Sequence, residues 1–296
     1  MKFSLCKFCL CRLLYISSQK KMHRGFELFI DKTAFEKSYY DLAIEAGKKR
    51  YDNAKVNIRS TLDSFISKNG KLDGSKMQAN WFPQVSADIF ISHSHQDEDL
   101  AILLSEYFHQ TFGLTVFIDS CIWGYANDLL KLIDDEYCLN SSGETYNYTK
   151  RNYSTSHIHM MLSTALTMMI DKSECVLFLN TPNSITPNEV ITKTKSPWIY
   201  SEIAMTSLVR QKPLNEYRVK KITESFSEGG EIRKGLDFEY AINTDHLTSI
   251  SKDILLRWKK EWDYEGKKYT PDYSKHALDI LYSITSKNNR YEYFEK

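Results

Sequence analysis

Short apolar runs and helical patterns alternate through the middle of the chain. Residues 87–92, 114–119 and 174–180 are rich in β-branched and aromatic side chains, which is typical of strands buried on both faces of a parallel sheet. Between the first two runs, apolar residues recur at helical spacing, and Gly113 follows as a helix terminator. This order of strand, helix and strand predicts a right-handed crossover and therefore a parallel α/β sheet.

Helical patterns also flank this alternation. Residues 32–68 contain no proline and repeat apolar side chains at helical spacing, and residues 158–170 do the same. Another helix is predicted to begin at Pro197, because proline suits the first turn, and to run through Leu208. Beyond residue 213, the pattern predicts a strand at 238–242 and helices at 245–262 and 273–286.

Changes of composition divide the chain into segments. Residues 69–86 collect Gly, Asn, Asp, Ser and Pro, which interrupt helices and strands. Met22 starts a more ordinary sequence than the cysteine-containing stretch before it. We therefore predict an extension from an upstream start codon at 1–21, a helical N-terminal region at 22–85, an α/β domain at 86–212 with an insertion at 121–156, and a mixed, mainly helical C-terminal region at 213–296.

Composition indicates a folded protein and argues against some classes of binding partner. Hydrophobic residues make up 42% and aromatic residues 13% of the 296 residues, which is enough to form a core. The 39 Lys and Arg nearly balance the 38 Asp and Glu, so no strong positive field favours nucleic acid. No apolar run is long enough to span a membrane. Six cysteines are too few for a disulfide scaffold, which favours the cytoplasm.

Several familiar chemistries are excluded by their missing motifs. The 11 glycines form no G-x-G-x-x-G or Walker phosphate loop, and no G-x-S-x-G or H-E-x-x-H motif occurs. Two His-x-His pairs, His93 with His95 and His157 with His159, raise the question of a metal. The second pair lies on a predicted helix, where positions two apart diverge by about 200°. We therefore predict no metal site, and the cluster Cys6, Cys9, Cys11 and His23 also lacks a second cysteine pair nearby.

Three short motifs in order carry a resemblance to a known family. They are Asp88-Ile-Phe-Ile-Ser-His-Ser94, Phe117-Ile-Asp119 and Ser196-Pro-Trp-Ile-Tyr-Ser-Glu202. Together they resemble the Toll/interleukin-1 receptor (TIR) domain family across residues 86–212. The resemblance implies a flavodoxin-like α/β fold with a parallel sheet flanked by helices, to which this chain adds N- and C-terminal helical extensions.

The resemblance also implies a reaction. Some TIR domains cleave NAD⁺ between nicotinamide and ribose, and Glu202 matches the position of their catalytic glutamate. A helical spacing of four residues places Trp198 on the same face as Glu202. Because nicotinamide leaves as a neutral amide, one carboxylate suffices where other glycosidases use two. The resemblance assigns NAD⁺ binding to Phe90, Ser92, His93, Ser94, Asp119, Trp123 and Trp198.

Simpler interpretations of the same residues stay open. Glu202 is also explained as an exposed glutamate in the first turn of a helix, where the helix dipole favours an acid. Trp198 also suits a core position, and Ser94 with Asp97 matches a capping box. Trp123 and Tyr125 lie in the loop 120–128, which corresponds to a loop used by TIR domains for assembly, and either residue also suits packing against the insertion.

The resulting functional hypothesis is an NAD⁺ nucleosidase, either a hydrolase or a cyclase, activated by self-association. The resemblance to TIR domains implies a cytoplasmic protein that acts in antiviral defence, with NAD⁺ as its substrate and no further cofactor. Its expected partners are further copies of the chain, through TIR–TIR contacts, and an effector protein. The alternatives are a non-enzymatic TIR adaptor and, with less support, a nucleotide sensor.

Overall fold

A computed structural model describes most of the chain. The described residues are 25–54, 65–66, 72–123, 126–185, 193–194, 196–209, 240–241, 244–265 and 276–291. The predicted extension at 1–21, the cluster of Cys6, Cys9, Cys11 and His23, and the loop residue Tyr125 lie outside these ranges.

A five-stranded parallel sheet forms the centre of the protein, in the order β3-β2-β4-β1-β7. This confirms the predicted α/β fold. Two further strands, β5 and β6, form a separate antiparallel pair. The strand bounds are Gly25–Leu28 (β1), Ile89–Ser92 (β2), Val116–Phe117 (β3), Cys175–Leu179 (β4), Lys193–Thr194 (β5), Tyr240–Ala241 (β6) and Thr248–Ile250 (β7).

Two strands of the main sheet come from outside residues 86–212. The strand β1 pairs with β4 on one side and with β7 on the other. The region 22–85 is therefore not only helical, and the sheet extends beyond the predicted α/β domain. The helix predicted at 245–262 also begins later, because residues 248–250 are taken into the sheet by pairing with β1 before the helix starts at Lys252.

Nine α-helices are present in the described part of the chain. Gly113 ends one of them in the left-handed conformation, with φ of 68°, which glycine adopts at low cost. Ser196 caps another by accepting a hydrogen bond from the Ile199 amide, and Pro197 follows it as predicted. The helix bounds are Lys37–Ala54 (α1), Gly74–Trp81 (α2), Glu98–Phe112 (α3), Asp119–Ile122 (α4), Ala126–Ile133 (α5), Tyr148–Lys172 (α6), Pro197–Leu208 (α7), Lys252–Glu265 (α8) and Ala277–Tyr291 (α9).

Helices cover both faces of the sheet. On one face, Phe26 of β1 stacks on Tyr282 of α9, and Phe112 of α3 stacks on Trp258 of α8 with ring centroids 4.0 Å apart. Successive strand residues point to opposite faces, so Glu27 and its neighbour in register, Phe178, point to the other face. There Phe178 forms a buried cluster with residues of α7. Helix α7 therefore lies on the opposite side of the sheet from α8 and α9.

The insertion at 121–156 is largely helical. It contains α5, one π-helical turn at Asp134–Cys138 and the first turns of α6, which begins at Tyr148 instead of residue 158. Buried Asp134 anchors the turn to α6, because it accepts hydrogen bonds from Arg151 Nε at 2.8 Å and Ser154 Oγ at 2.6 Å. None of the described helices is both long and apolar enough to cross a bilayer.

Candidate functional site

The carboxyl edge of the sheet has one point at which ligands are expected. The chain leaves β2 towards β3 on one side, while β4 lies on the other side of β2. Open α/β sheets bind ligands in the crevice that such a change of direction creates. Ser92 ends β2 at this point, His93 and Ser94 follow it, and Asp119 follows β3.

Glu202 is buried beside this edge. The residue is only 4% exposed, and it lies beyond the first turn of α7. The interpretation of Glu202 as an exposed first-turn glutamate is therefore wrong. Burial raises the pKa of its carboxyl well above the usual value, and the nearby charge of Asp119 raises the pKa further. Glu202 therefore releases its proton less readily than an exposed glutamate.

Ser92, at the end of β2, lies on the same side of the sheet as Glu202. Its register neighbour on β4 is Phe178, which lies in the cluster formed with α7, so Ser92 points to the same face as that helix. The buried Ser92 Oγ has no hydrogen bond of normal length and angle. It is nevertheless near enough to the Glu202 carboxyl to lower that group's pKa, an effect weaker than those of burial and Asp119. Ser92 Oγ is thus a buried polar atom beside Glu202 without a well-formed protein hydrogen bond.

His93 connects the end of β2 to the start of α4. Its Nε2 lies 3.4 Å from Ser120 Oγ, and its Nδ1 lies 3.8 Å from Asp119 Oδ1. The imidazole is 2% exposed, whereas the Asp119 side chain is 27% exposed. Nδ1 has no hydrogen-bond partner among the described residues. Asp119 is thus the most exposed of these groups, and it lies near both His93 and Glu202.

A second group of polar residues ties two loops of this edge together, a role that the sequence analysis did not predict for Asp97. Buried Asp97 follows β2 and accepts hydrogen bonds from Thr181 Oγ1 and Asn183 Nδ2, both of which follow β4. Ser94 caps the intervening turn, because its Oγ accepts a hydrogen bond from the Gln96 amide at 3.4 Å, but Asp97 bonds the loop after β4 and does not complete the predicted capping box. The polar run after β4 was a signal for this network, since ligand-facing loops follow parallel strands.

Comparison with known proteins finds no counterpart for this chain. No family model, no curated protein and no solved structure matches it. The similarity to TIR domains therefore depends on the three sequence motifs. Two of the motif residues, Asp119 and Glu202, are near enough for one charge to shift the pKa of the other.

Two of the aromatic residues assigned to NAD⁺ binding lie in the core. Phe90 is 0% exposed and stacks on Phe117. Trp123 is 2% exposed, and its Nε1 donates a hydrogen bond to Pro83 O at 2.9 Å. Packing accounts for both side chains without a ligand. Trp198 is only half-buried and makes an edge-to-face contact with His159, with ring centroids 5.6 Å apart.

The second His-x-His pair makes ring contacts on the exposed side of α6. His159 meets Trp198, and His157 contacts the Tyr153 ring. Burial lowers the pKa of His159, which favours its neutral form. Within the described ranges, no group of three or more His, Cys, Asp or Glu side chains is arranged to hold a metal ion.

Another buried carboxyl was not predicted from the sequence. Glu27 of β1 is 8% exposed and accepts a hydrogen bond from Asn180 Nδ2 at 2.6 Å. Burial raises its pKa, and the bond from Asn180 lowers it by less. Glu27, Phe178 and Ser92 are register neighbours on three adjacent strands. Glu27 therefore shares the sheet face on which Ser92 lies and adds to the acidic character of that side.

Proposed function

We propose that this protein cleaves the bond between nicotinamide and ribose in NAD⁺, with Glu202 as the catalytic carboxylate. The observation that carries the proposal is the burial of Glu202 within reach of the Asp119 charge, at the carboxyl edge of a parallel sheet. Two carboxyl groups at a site of low dielectric attract a positive charge. The pyridinium ring of NAD⁺ carries such a charge, and the three TIR-like motifs point to the same substrate.

The raised pKa of Glu202 suits a cationic substrate. Without a ligand, burial and Asp119 both favour the protonated carboxyl. A bound pyridinium favours the ionised form, because opposite charges at short distance stabilise each other. The carboxylate is then present when the substrate is bound, and it has no shell of water to reorganise.

The reaction needs no proton for its leaving group. When the bond between C1′ and the pyridinium nitrogen breaks, the bonding electron pair stays on nitrogen and nicotinamide leaves neutral. The positive charge moves to C1′ and the ring oxygen of ribose, where the Glu202 carboxylate stabilises it. Attack at C1′ by water gives ADP-ribose and a proton, and attack by a nucleophile of the same molecule gives a cyclic product.

Ser92 and His93 supply the polar atoms for orienting the substrate. Ser92 Oγ and His93 Nδ1 are buried at the end of β2 and lack a protein hydrogen bond of normal geometry. Ribose hydroxyls and phosphate oxygens are suitable partners for them. The network of Asp97, Thr181 and Asn183 holds the neighbouring loops and thereby keeps this edge in place.

The proposal is tested by offering NAD⁺ and NADH to the full chain. We expect NAD⁺ to be consumed and NADH to persist, because dihydronicotinamide carries no positive charge. Products are identified by chromatography and mass spectrometry, which separates hydrolysis from cyclisation. The protein is assayed at high concentration with a crowding agent, and light scattering verifies self-association. Survival of NAD⁺ in an assembled sample would overturn the proposal.

Asp119→Asn is expected to shift the pH dependence of cleavage towards lower pH. The Asp119 charge raises the pKa of Glu202, so its removal lets Glu202 ionise at a lower pH. The measurement is the position of the acidic limb in a profile of kcat against pH. Asp41→Asn, an exposed change on α1, serves as the control and should leave the limb in place. A limb that stays fixed or moves to higher pH in Asp119→Asn contradicts the assigned coupling.

One observation favours the alternative of a non-enzymatic scaffold. Helix α6 exposes Tyr153, Met160 and Met168, which are 70%, 64% and 46% exposed. Their spacing places them along one side of the helix, and exposed apolar stripes are typical of protein interfaces. The same stripe serves an enzyme that assembles with further copies or with an effector protein. A cytoplasmic location and a role in antiviral defence are also part of the proposal, and both depend on the TIR resemblance alone.

A further inference from the structure

A cleft of about 590 Å³ lies on the side of the sheet opposite to Glu202. It is formed by the start of α1, the end of α3 and the C-terminal half of α8. Small-molecule sites in proteins have volumes of about 300–1,000 Å³. None of the residues that line this cleft belongs to the candidate site at the carboxyl edge.

Three aromatic rings form one wall of the cleft. Phe35 and Tyr39 are nearly parallel, with centroids 6.1 Å apart and an interplanar angle of 20°. Tyr107 meets Phe35 edge to face at 5.8 Å. All three side chains are half-buried, so each keeps part of its surface towards the cleft. Exposed ring faces carry partial negative charge and attract cations.

Acidic groups outnumber basic groups around the same wall. Glu36 lies at the rim and has no ion pair among the described residues, whereas Asp263 is paired with Lys259 at 2.6 Å. Burial raises the pKa of Tyr39 and of Tyr107, and the charge of Asp263 raises that of Tyr107 further. Both phenols therefore stay neutral at physiological pH. The lining carries two carboxylates against one ammonium group.

We propose that this cleft binds a flat organic cation of the pyridinium type. A flat ring suits the aromatic wall formed by Phe35, Tyr39 and Tyr107, and a positive charge is attracted both by the rings and by Glu36. An anionic ligand is disfavoured by the excess of carboxylates. Tyr39 OH donates a hydrogen bond to Gln110 Oε1 at 3.4 Å, and Gln110 Nε2 donates one to Glu106 Oε1 at 2.7 Å, so polar side chains hold this wall in place.

The charge requirement is tested with a matched pair of probes. 1-Methylnicotinamide carries a permanent positive charge, and nicotinamide is a nearly isosteric neutral molecule. Binding of each probe to the full chain is measured by isothermal titration calorimetry and by chemical-shift changes in NMR spectra. We expect the cation to bind about tenfold or more tightly than the neutral probe, as expected for a desolvated cation on aromatic faces. Equal affinities, or no binding of the cation, would overturn the proposal.

The location is tested with three variants. Tyr107→Leu removes a ring from the wall and is expected to weaken binding of 1-methylnicotinamide about tenfold. Glu36→Gln is an exposed change that leaves packing intact, and it should weaken binding about threefold. Glu45→Gln, on the exposed side of α1, should have no effect. If the affinity for 1-methylnicotinamide is unchanged in both Glu36→Gln and Tyr107→Leu, the probe does not bind in this cleft.

A further variant separates this site from the proposed catalytic site. Glu202→Gln should leave binding of the cation at the cleft unchanged, because Glu202 lies on the other side of the sheet. Loss of all cation binding in Glu202→Gln would assign the probe to the candidate catalytic site and overturn the cleft proposal. The inference does not depend on cleavage of NAD⁺ by this protein, since binding alone is measured.

Discussion

Glu202→Gln is expected to lower the rate of NAD⁺ cleavage strongly while making the folded protein more stable at neutral pH. Glutamine keeps the size of the side chain but cannot provide the negative charge that stabilises the developing cation. Loss of one such electrostatic group typically lowers kcat by a factor of about 10²–10³. The measurement is nicotinamide release at saturating NAD⁺, and Glu202→Asp, which keeps a charge, should retain part of the activity.

The expected gain in stability follows from the pKa of Glu202. Its pKa is raised in the folded protein, so between the unfolded value of about 4.5 and the folded value the native state holds the proton more tightly. Stability therefore falls as pH rises through this window, and the loss persists above it. Glutamine has no such dependence. We expect Glu202→Gln to unfold with a free energy higher by about 1–3 kcal/mol at pH 8, and by less at pH 5.

Thermal and urea unfolding at the two pH values check this result. Glu144→Gln, an exposed change in the insertion, is the matched control and should alter stability by less than about 0.5 kcal/mol. If Glu202→Gln is less stable than the wild type at pH 8, the buried carboxylate is favourably bound by its surroundings. Burial would then not destabilise the ionised form of Glu202, contrary to the expectation.

A fragment of residues 86–212 is expected not to fold. The fragment lacks β1, which hydrogen-bonds along β4 in the complete protein, so an inner edge of the sheet would face solvent. It also lacks α8, whose Trp258 covers Phe112 of α3. Circular dichroism and the dispersion of amide signals in NMR spectra distinguish a folded fragment from an unfolded one. A fragment that unfolds cooperatively would show that the flanking strands are additions to a self-sufficient domain.

Trp258→Ala tests the same dependence in the complete chain. Trp258 is 0% exposed, stacks on Phe112, and donates a hydrogen bond from Nε1 to Ala277 O at 2.8 Å. Truncation of a large buried aromatic side chain to alanine costs about 3–5 kcal/mol. Trp262→Ala, a half-buried neighbour on the same helix, should cost clearly less. Equal effects of the two substitutions would contradict the central place of Trp258 in this layer.

The sequence predicted the elements whose patterns are long or have strong terminal signals. The apolar runs of β2, β3 and β4 and the cap formed by Ser196 and Pro197 are examples. Strand β1 escaped prediction because it has four residues and includes Glu27, so it has neither a continuous apolar run nor a length that shows periodicity. Strand β7 lies beside a strong helical pattern, and pairing with β1 decides its conformation.

The candidate site was predicted only where residue type and position in the chain sufficed. Glu202, Ser92, His93 and Asp119 were named from motifs, but the burial of Glu202 depends on packing that no local pattern encodes. Trp123 was assigned to ligand binding, yet it packs in the core. A large aromatic side chain suits either a binding site or the core, and only its contacts in the folded structure distinguish the two.

The position of β1 between β4 and β7 makes the folding of this early strand depend on parts of the chain that are made later. The strand is made early, but its two partners in the sheet, β4 and β7, are made much later in the chain. In a nascent chain β1 therefore has no partner until β4 is made, and its other edge stays unpaired until β7 is made. Such a high contact order slows folding. A chain whose translation stops before β7 therefore keeps one edge of β1 unpaired, and an unpaired strand edge is a template for aggregation.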